Sequence, residues 1–245
     1  MRMSEKTSNE RNPTKKQVTS KDRKDILKQI DDRLKSIVLS ESQKRYSDTI
    51  KNNTITFCHG PAGTSKTYTA CFTSLDLLVK HKVNKIVLCK PIQESGEKLG
   101  FLPGEVSDKI GPFMESYVSN YIKILGEGLF KIFESLFIEY RPLAYMRGAS
   151  FDECLMILDE AQNADFSQLI LFVTRLGNKS KMLVCGDVSQ FDIEKKKVAL
   201  PQFIHLMDGI EGVSKFLFDE NDIVRHRILI EITKRYEQWK HNSKS

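Results

Sequence analysis

The segment at residues 60–67, GPAGTSKT, constrains the fold of this chain more than any other stretch of its sequence. It follows a short apolar run at residues 54–58, which predicts a strand, and opens a stretch with helical spacing that reaches about residue 80. All fixed positions of the phosphate-loop template G-x-x-x-x-G-K-[ST] are matched except the sixth, where Ser65 replaces glycine. Such a turn points backbone N–H groups inward at a helix N-terminus, and this arrangement binds phosphate.

The loop chemistry predicts roles for its side chains. Lys66 supplies a point charge to β- and γ-phosphates, and the Thr67 hydroxyl is a ligand for the Mg²⁺ that bridges them. We expect Ser65 to adopt a negative φ, because Gly60 and Gly63 remain for tight bending. The nucleotide-binding residues predicted from this stretch are Gly60, Pro61, Ala62, Gly63, Thr64, Ser65, Lys66, Thr67 and Tyr68.

Further apolar runs predict a sheet around this loop. Runs separated by helical segments are typical of a parallel sheet that is covered on both faces. The sequence therefore predicts an α/β fold, with a mostly parallel sheet and helices on both faces, in a single domain over residues 22–245. The additional predicted strands lie at residues 85–89, 154–159, 181–186 and 215–218.

Two regions depart from this alternation. Residues 1–21 are polar and predict a basic disordered arm, since eight basic and three acidic residues lie between Met1 and Lys24. The net charge of the whole chain is +6, so the body is close to neutral, and the arm either contacts phosphates or is simply solvated. Residues 96–146 interrupt the alternation as an aromatic-rich insertion, which we interpret as core rather than interface.

Composition excludes several classes of protein. With 40% hydrophobic and 29% charged residues, the chain is neither wholly disordered nor a membrane protein, and no uncharged apolar run approaches the ~20 residues of a spanning helix. Residues 1–17 lack the apolar segment of a secretory leader, so a cytoplasmic location is expected. The five cysteines have no metal-ligand spacing and are expected to be reduced.

Two acids at a strand end supply the chemistry that the phosphate loop lacks. Asp159 is predicted to hold the Mg²⁺ shell, and Glu160 is predicted to polarise an attacking water as a general base. Gln190 follows the next predicted strand, where it either senses the γ-phosphate or belongs, with Asp187, to an ordinary polar turn.

At this point the chain resembles the PhoH-like proteins, the phosphate-starvation-inducible ATPases of bacteria and many bacteriophages. The blocks that carry the resemblance are GPAGTSKT, KPIQESGEKLGFLPGE, MRGASFDECLMILDEAQN, TRLGNKSKMLVCGDVSQFDI and DIVRHRILIEI, which together cover about residues 42–236. The resemblance implies a RecA-like P-loop core, similar to the first motor domain of superfamily 1 helicases, with ATP and Mg²⁺ as ligands. It further implies that Gln43 reads adenine and that LDEAQ and GDVSQ correspond to helicase motifs II and III.

The length leaves room for only one such core, whereas a helicase motor closes ATP between two. An arginine that stabilises the transferred phosphoryl group would then come from a neighbouring copy, which predicts a homo-oligomeric ring, most simply a hexamer. Candidates for this arginine are Arg147, Arg175 and Arg225. For Arg175, a γ-phosphate contact within the same chain and a packing role are both open.

Two functions compete on these grounds. The first is an ATPase motor that acts on RNA or single-stranded DNA, which the likeness to motifs II and III favours. The second is an ATP-dependent oligomeric switch that binds a protein or RNA without unwinding it, which Ser65 and the short chain favour. A small-molecule kinase is disfavoured, because the Asp159–Glu160 pair suits hydrolysis by water.

Overall fold

The computed structural model describes residues 20–61, 63–91, 114–187 and 199–223, together with Ile228, Glu231, Ile232, Arg235 and Trp239. Three predicted site residues, Ala62, Gln190 and Arg225, lie outside the described residues. The basic arm also lies outside them up to residue 19.

A parallel sheet of six strands forms the centre of the molecule, in the order β3-β2-β4-β5-β1-β6. Every described pair of neighbouring strands is parallel, which confirms the predicted α/β fold. The strands are β1 (Ile55–His59), β2 (Lys85–Lys90), β3 (Ile138–Pro142), β4 (Cys154–Leu158), β5 (Lys181–Gly186) and β6 (Val213–Leu217).

Strand β3 was not predicted, and it lies within the stretch interpreted as an insertion. It adds to the edge of the sheet, where Ile138 pairs with Ile86 of β2. Its sequence, IEYRP, mixes polar and apolar residues because most of the strand is only half-buried. Glu139 on this strand forms an ion pair with Lys85 of β2 at 2.6 Å. An edge strand of this kind lacks the continuous apolar run by which the buried strands were found.

Helices cover both faces of the sheet, as the sequence predicts. Helices α1 to α5 lie over one face, and α6 and α7 lie over the other. Alternate residues of each strand enter the two cores, so that Ile86 belongs to the first and Val87 to the second. The helices are α1 (Ser20–Lys35), α2 (Glu41–Asn52), α3 (Lys66–Val79), α4 (Glu115–Leu125), α5 (Glu127–Phe137), α6 (Phe166–Val173) and α7 (Leu200–Leu206).

The aromatic residues of α4 and α5 are buried in the first core. Tyr117 and Tyr121 are fully buried, and the ring of Tyr121 lies 5.2 Å from that of Phe133. The Tyr121 hydroxyl shares a hydrogen bond of 2.8 Å with Ser74 of α3, which fixes α4 against the helix that follows the phosphate loop. All five cysteines are buried and unpaired. Among the described residues, none of the helices is both long and apolar enough to cross a lipid bilayer.

Candidate functional site

The phosphate loop joins the end of β1 to the start of α3, and its backbone requires glycine. Gly60 has φ +151°, and a Cβ at this position would lie 2.6 Å from the carbonyl oxygen of Phe218. Gly63 also has a positive φ of +90°. The buried Thr64 hydroxyl donates to the Pro61 carbonyl at 3.0 Å and closes the turn internally. The loop is therefore packed tightly against the chain that follows β6.

The ammonium of Lys66 lies against the loop. Its Nζ donates to the carbonyl oxygens of Gly60 at 2.6 Å and Pro61 at 2.8 Å. Helix α3 begins at this residue, so the charge sits beside a helix N-terminus whose first N–H groups lack partners within the helix. An anion placed here meets both the lysine and the N–H groups.

Ser65 does not adopt the negative φ that we expected. Its φ of +63° and ψ of +26° place it in the left-handed region, immediately before α3. Its side chain makes no capping hydrogen bond to the helix. The expectation was wrong because the turn from loop to helix requires a left-handed residue at this position, which costs a residue with a Cβ about 1–2 kcal/mol.

We therefore expect Ser65→Gly to raise the free energy of unfolding by roughly 0.5–1 kcal/mol. Relief of the left-handed strain exceeds the added flexibility that glycine gives the unfolded chain. Urea denaturation measures the change. Ser119→Gly is the matched control, because Ser119 lies within α4 and glycine there should lower the stability instead. A decrease for Ser65→Gly would contradict the strain at this residue.

Asp159 follows β4 as a buried carboxylate. Its backbone N–H donates to the carbonyl of Cys89 at 2.9 Å, and the Ser116 hydroxyl of α4 donates to Oδ2 at 3.4 Å. Burial raises the pKa of Asp159 to about 6, and the neighbouring Glu160 carboxylate adds to this increase, whereas Lys90 opposes it. A cation next to Asp159 would favour its charged form, so the carboxylate suits a magnesium ion.

Glu160 is held by Gln162, a residue that we did not identify from the sequence. Glu160 has a left-handed φ of +52°, and its Oε2 accepts from Gln162 Nε2 at 2.5 Å. The Oε1 of Gln162 accepts from the backbone N–H of Asp187 at 3.0 Å, just beyond β5. The side chain of Gln162, which is 2% exposed, thus links the ends of two strands. The sequence feature that could have revealed Gln162 is its polar side chain two residues after Glu160, between Ala161 and Asn163.

Gly186 leaves the space that this link needs. A Cβ on Gly186 would lie 3.1 Å from Gln162 Oε1 and 2.5 Å from Leu200 Cδ2. The last residue of β5 therefore allows the amide of Gln162 to approach the backbone of the neighbouring strand.

Gln162→Met is expected to lower the free energy of unfolding by about 1–3 kcal/mol. Methionine has a similar volume, but it leaves the Asp187 N–H and the Glu160 carboxylate without this partner. Thermal or urea unfolding measures the loss. Gln202→Met on the exposed surface of α7 is the control, with an expected change below about 0.5 kcal/mol. Equal stability of the two variants would show that the amide link contributes nothing.

The sheet brings the phosphate loop and the two acids to the same edge. Strands β1 and β4 flank β5, so their carboxyl ends are separated by roughly 10 Å. Burial raises the pKa of Cys71 on α3, and the Asp159 charge raises it further. Burial and the Lys66 ammonium lower the pKa of His59, while Asp187 opposes them. The charges of Lys66 and Asp187 thus both act on His59 at the end of β1, while the Asp159 charge reaches α3 at Cys71.

Other predicted residues lie elsewhere or have another role. Arg175 Nη1 donates to the carbonyl of Ala149 at 3.1 Å, and its own carbonyl accepts from Phe151, which precedes β4. Arg175 is therefore at the amino-terminal edge of the sheet, opposite the loop, and its hydrogen bonds favour the packing role. Gln43 Oε1 accepts from the Ser40 N–H at 2.9 Å and caps α2.

Two further predicted residues belong to the start of α3. Thr67 and Tyr68 are both half-buried in its first turn. Burial raises the pKa of Tyr68, and Cys71 adds to that increase. Both residues thus lie directly after Lys66, where the sequence placed them.

Comparison with known proteins identifies the family. The profile of the PhoH-like protein family matches residues 36–237. The chain belongs to the PhoH-like family. A PhoH-like protein of Bacillus subtilis is 40% identical over 203 residues, covering 82% of this chain and 64% of the relative. A PhoH-like protein of Mycobacterium tuberculosis is 40% identical over 200 residues, covering 81% of this chain and 57% of the relative. Protein PhoH of Escherichia coli is 31% identical over 190 residues, covering 76% of this chain and 54% of the relative.

The PhoH-like chain thus spans between half and two thirds of the length of these relatives. Among solved structures, the Pif1 helicase from Candida albicans is similar at a TM-score of 0.37 and 18% identity, covering 75% of this chain and 40% of that one. Family membership confirms the resemblance drawn from the sequence motifs. With the strand–loop–helix geometry at residues 55–79, it gives this PhoH-like chain the fold of a P-loop protein.

Proposed function

We propose that this PhoH-like chain binds ATP together with Mg²⁺ and hydrolyses it at the carboxyl edge of its sheet. The observation that carries the proposal is the shared edge itself, where the Lys66 ammonium follows β1 and the buried Asp159 carboxylate follows β4, with only β5 between the two strands. The loop N–H groups and Lys66 would hold the triphosphate. Thr67 and Asp159 would hold the metal, directly or through water.

Glu160 is the general base in this proposal. It would take a proton from the water that attacks the γ-phosphate, a role that requires the carboxylate in its charged form. Mg²⁺, when bound, would neutralise charge on the β- and γ-phosphates. The hydrogen bond from Gln162 fixes the direction of the Glu160 carboxylate, and Gln162 also contacts the end of β5. A change at the end of β5 would therefore reach the base through one side chain.

The proposal couples this hydrolysis to RNA or single-stranded DNA, as a helicase-like motor acting in the cytoplasm. An ATPase assay with and without single-stranded RNA tests the coupling. Several-fold stimulation by RNA is expected of a motor. Slow turnover that RNA leaves unchanged would contradict the motor and support the alternative, a non-motor oligomeric switch.

The proposal also includes assembly into a ring, with a hexamer as its simplest form. Arg175 lies away from the phosphate loop of its own chain, which supports an arginine at the γ-phosphate that comes from a neighbouring copy. Arg147 is exposed and stays a candidate for that role, while Arg225 lies outside the described residues. Light scattering with and without ATP measures the assembly, and a monomeric mass in both conditions would contradict it.

A further inference from the structure

A single exposed aromatic ring stands on the turn that follows β3. Tyr145 ends the short helical turn Leu143–Tyr145 and is 60% exposed. The residues around it are oriented the other way, since Leu143 is 1% exposed and Met146 is fully buried in the second core. Lone exposed apolar residues are common on protein surfaces, so exposure alone does not assign a role to the ring.

The turn is held rigidly beneath the ring. The Met146 N–H donates to the Leu143 carbonyl and the Ala149 N–H donates to the Met146 carbonyl, each at 3.3 Å. Cys89 Sγ at the end of β2 contacts Met146 Sδ at 3.5 Å. Arg175 Nη1 holds the Ala149 carbonyl at 3.1 Å. Because Leu143 and Met146 are packed, the backbone of the turn is held in place while the Tyr145 ring lies in solvent.

The space and charge beside the ring fit an anionic chain. Residues 140–151 contain no acidic residue and two arginines, of which Arg141 is paired with Glu139 on β3 and Arg147 is exposed. Arg147 is exposed, and within the described ranges neither its guanidinium nor the Tyr145 hydroxyl has a hydrogen-bond or ion-pair partner. Gly148 has φ +75°, and a Cβ built on it would meet nothing within 4 Å. The neighbouring Ala144 is also small and exposed, so the ring is accessible.

We propose that Tyr145 is a stacking platform for a base of single-stranded nucleic acid, with Arg147 contacting the adjacent phosphate. An accessible aromatic ring beside an arginine is the arrangement by which proteins bind single strands without reading their sequence. The residues that adjoin the ring in the chain, Ala144, Arg147 and Gly148, are small or charged and add little apolar area to it. The inference rests on the proposed action on nucleic acid and assigns its contact to this turn.

The position of the turn connects it to the hydrolytic site. It begins at the carboxyl end of β3, the edge of the sheet that also holds the phosphate loop, four strand positions from β1, and from there the chain runs back to Ala149 and Arg175. It packs against α6, which begins three residues after the short helix Ala161–Asn163 that contains Gln162. Helix α6 thus joins the turn that carries Tyr145 to the segment that follows Glu160.

Fluorescence anisotropy with labelled oligouridine RNA and oligothymidine DNA tests the platform. Tyr145→Ala is expected to weaken binding roughly 5- to 150-fold, which corresponds to the loss of one stacked base. Tyr145→Trp should retain the affinity. Arg147→Ala should weaken binding and lower the slope of log affinity against log salt by about one. Ile132→Ala on α5, also exposed, is the control and should bind like the wild type.

The outcomes separate this inference from the proposed function. ATP turnover without nucleic acid should be the same for Tyr145→Ala and the wild type. If the wild type binds the oligonucleotides and Tyr145→Ala binds them equally well, the platform is overturned while action on nucleic acid stands. If the wild type binds neither RNA nor DNA, the platform and the nucleic-acid part of the proposed function both fail, and ATP hydrolysis is judged on turnover alone.

Discussion

Lys66→Ala is expected to lower ATP turnover about a hundredfold or more, chiefly by weakening nucleotide binding. An ammonium that contacts two phosphate oxygens contributes roughly 3 kcal/mol to binding, and no other described lysine lies within the loop. The substitution also removes the hydrogen bonds to the Gly60 and Pro61 carbonyls, so the turn loses its internal cation. Turnover over a range of ATP concentrations, together with a binding titration, measures the effect.

The control for this variant is Lys131→Ala on the exposed face of α5, which removes the same charge far from the loop. Its turnover should equal that of the wild type. Circular dichroism of both variants checks that the fold is retained. Wild-type turnover in Lys66→Ala would reject the assignment of the phosphate loop.

Glu160→Gln is expected to stop hydrolysis while sparing ATP binding. A general base contributes roughly a hundredfold to ten-thousandfold to a rate, and glutamine keeps the shape of the side chain without its basicity. The Gln162 amide still finds an acceptor in the substituted side chain, so the link to β5 persists. Single-turnover measurements should show a loss of at least about a hundredfold in rate with binding changed by less than about threefold.

Glu211→Gln is the matched control, because Glu211 is an exposed glutamate that precedes β6. It should hydrolyse ATP at the wild-type rate. If Glu160→Gln lost nucleotide binding, Glu160 would have a structural role. If the variant kept wild-type turnover, the base would have to be sought elsewhere.

Much of the fold could be predicted because it depends on local patterns. The buried strands are continuous apolar runs, and the phosphate loop is a contiguous motif between a strand and a helix. Strand β3 escaped prediction because it lies at the edge, where Glu139 and Arg141 alternate with apolar residues. Its place in the sheet depends on pairing with β2, a contact between residues more than fifty positions apart.

The charged residues of the site could be predicted from the sequence, whereas the residues that hydrogen-bond to them could not. Gln162 and Ser116 act through contacts with Glu160 and Asp159, and the latter contact joins residues 43 positions apart. Spacing along the chain does not reveal such a partner. The left-handed Ser65 was missed for a different reason, because its conformation is imposed by the turn and opposes the preference of the residue.

Gln43 shows the same limit in another way. Its position in the sequence fits a reader of adenine, while in the structure its side chain accepts from the Ser40 N–H and closes a capping box at α2. The Gln43 amide caps the start of α2 in this structure, and its contact with adenine stays a prediction. The structure thus adds a contact that competes with the role inferred from resemblance.

Calorimetric titration of the wild-type chain with Mg²⁺ and a non-hydrolysable ATP analogue tests the central claim most directly. We expect saturable binding of one nucleotide per chain, lost in Lys66→Ala and retained in Glu160→Gln. No heat of binding at millimolar nucleotide, or equal binding by wild type and Lys66→Ala, would contradict the claim that the loop and the acids form one triphosphate site.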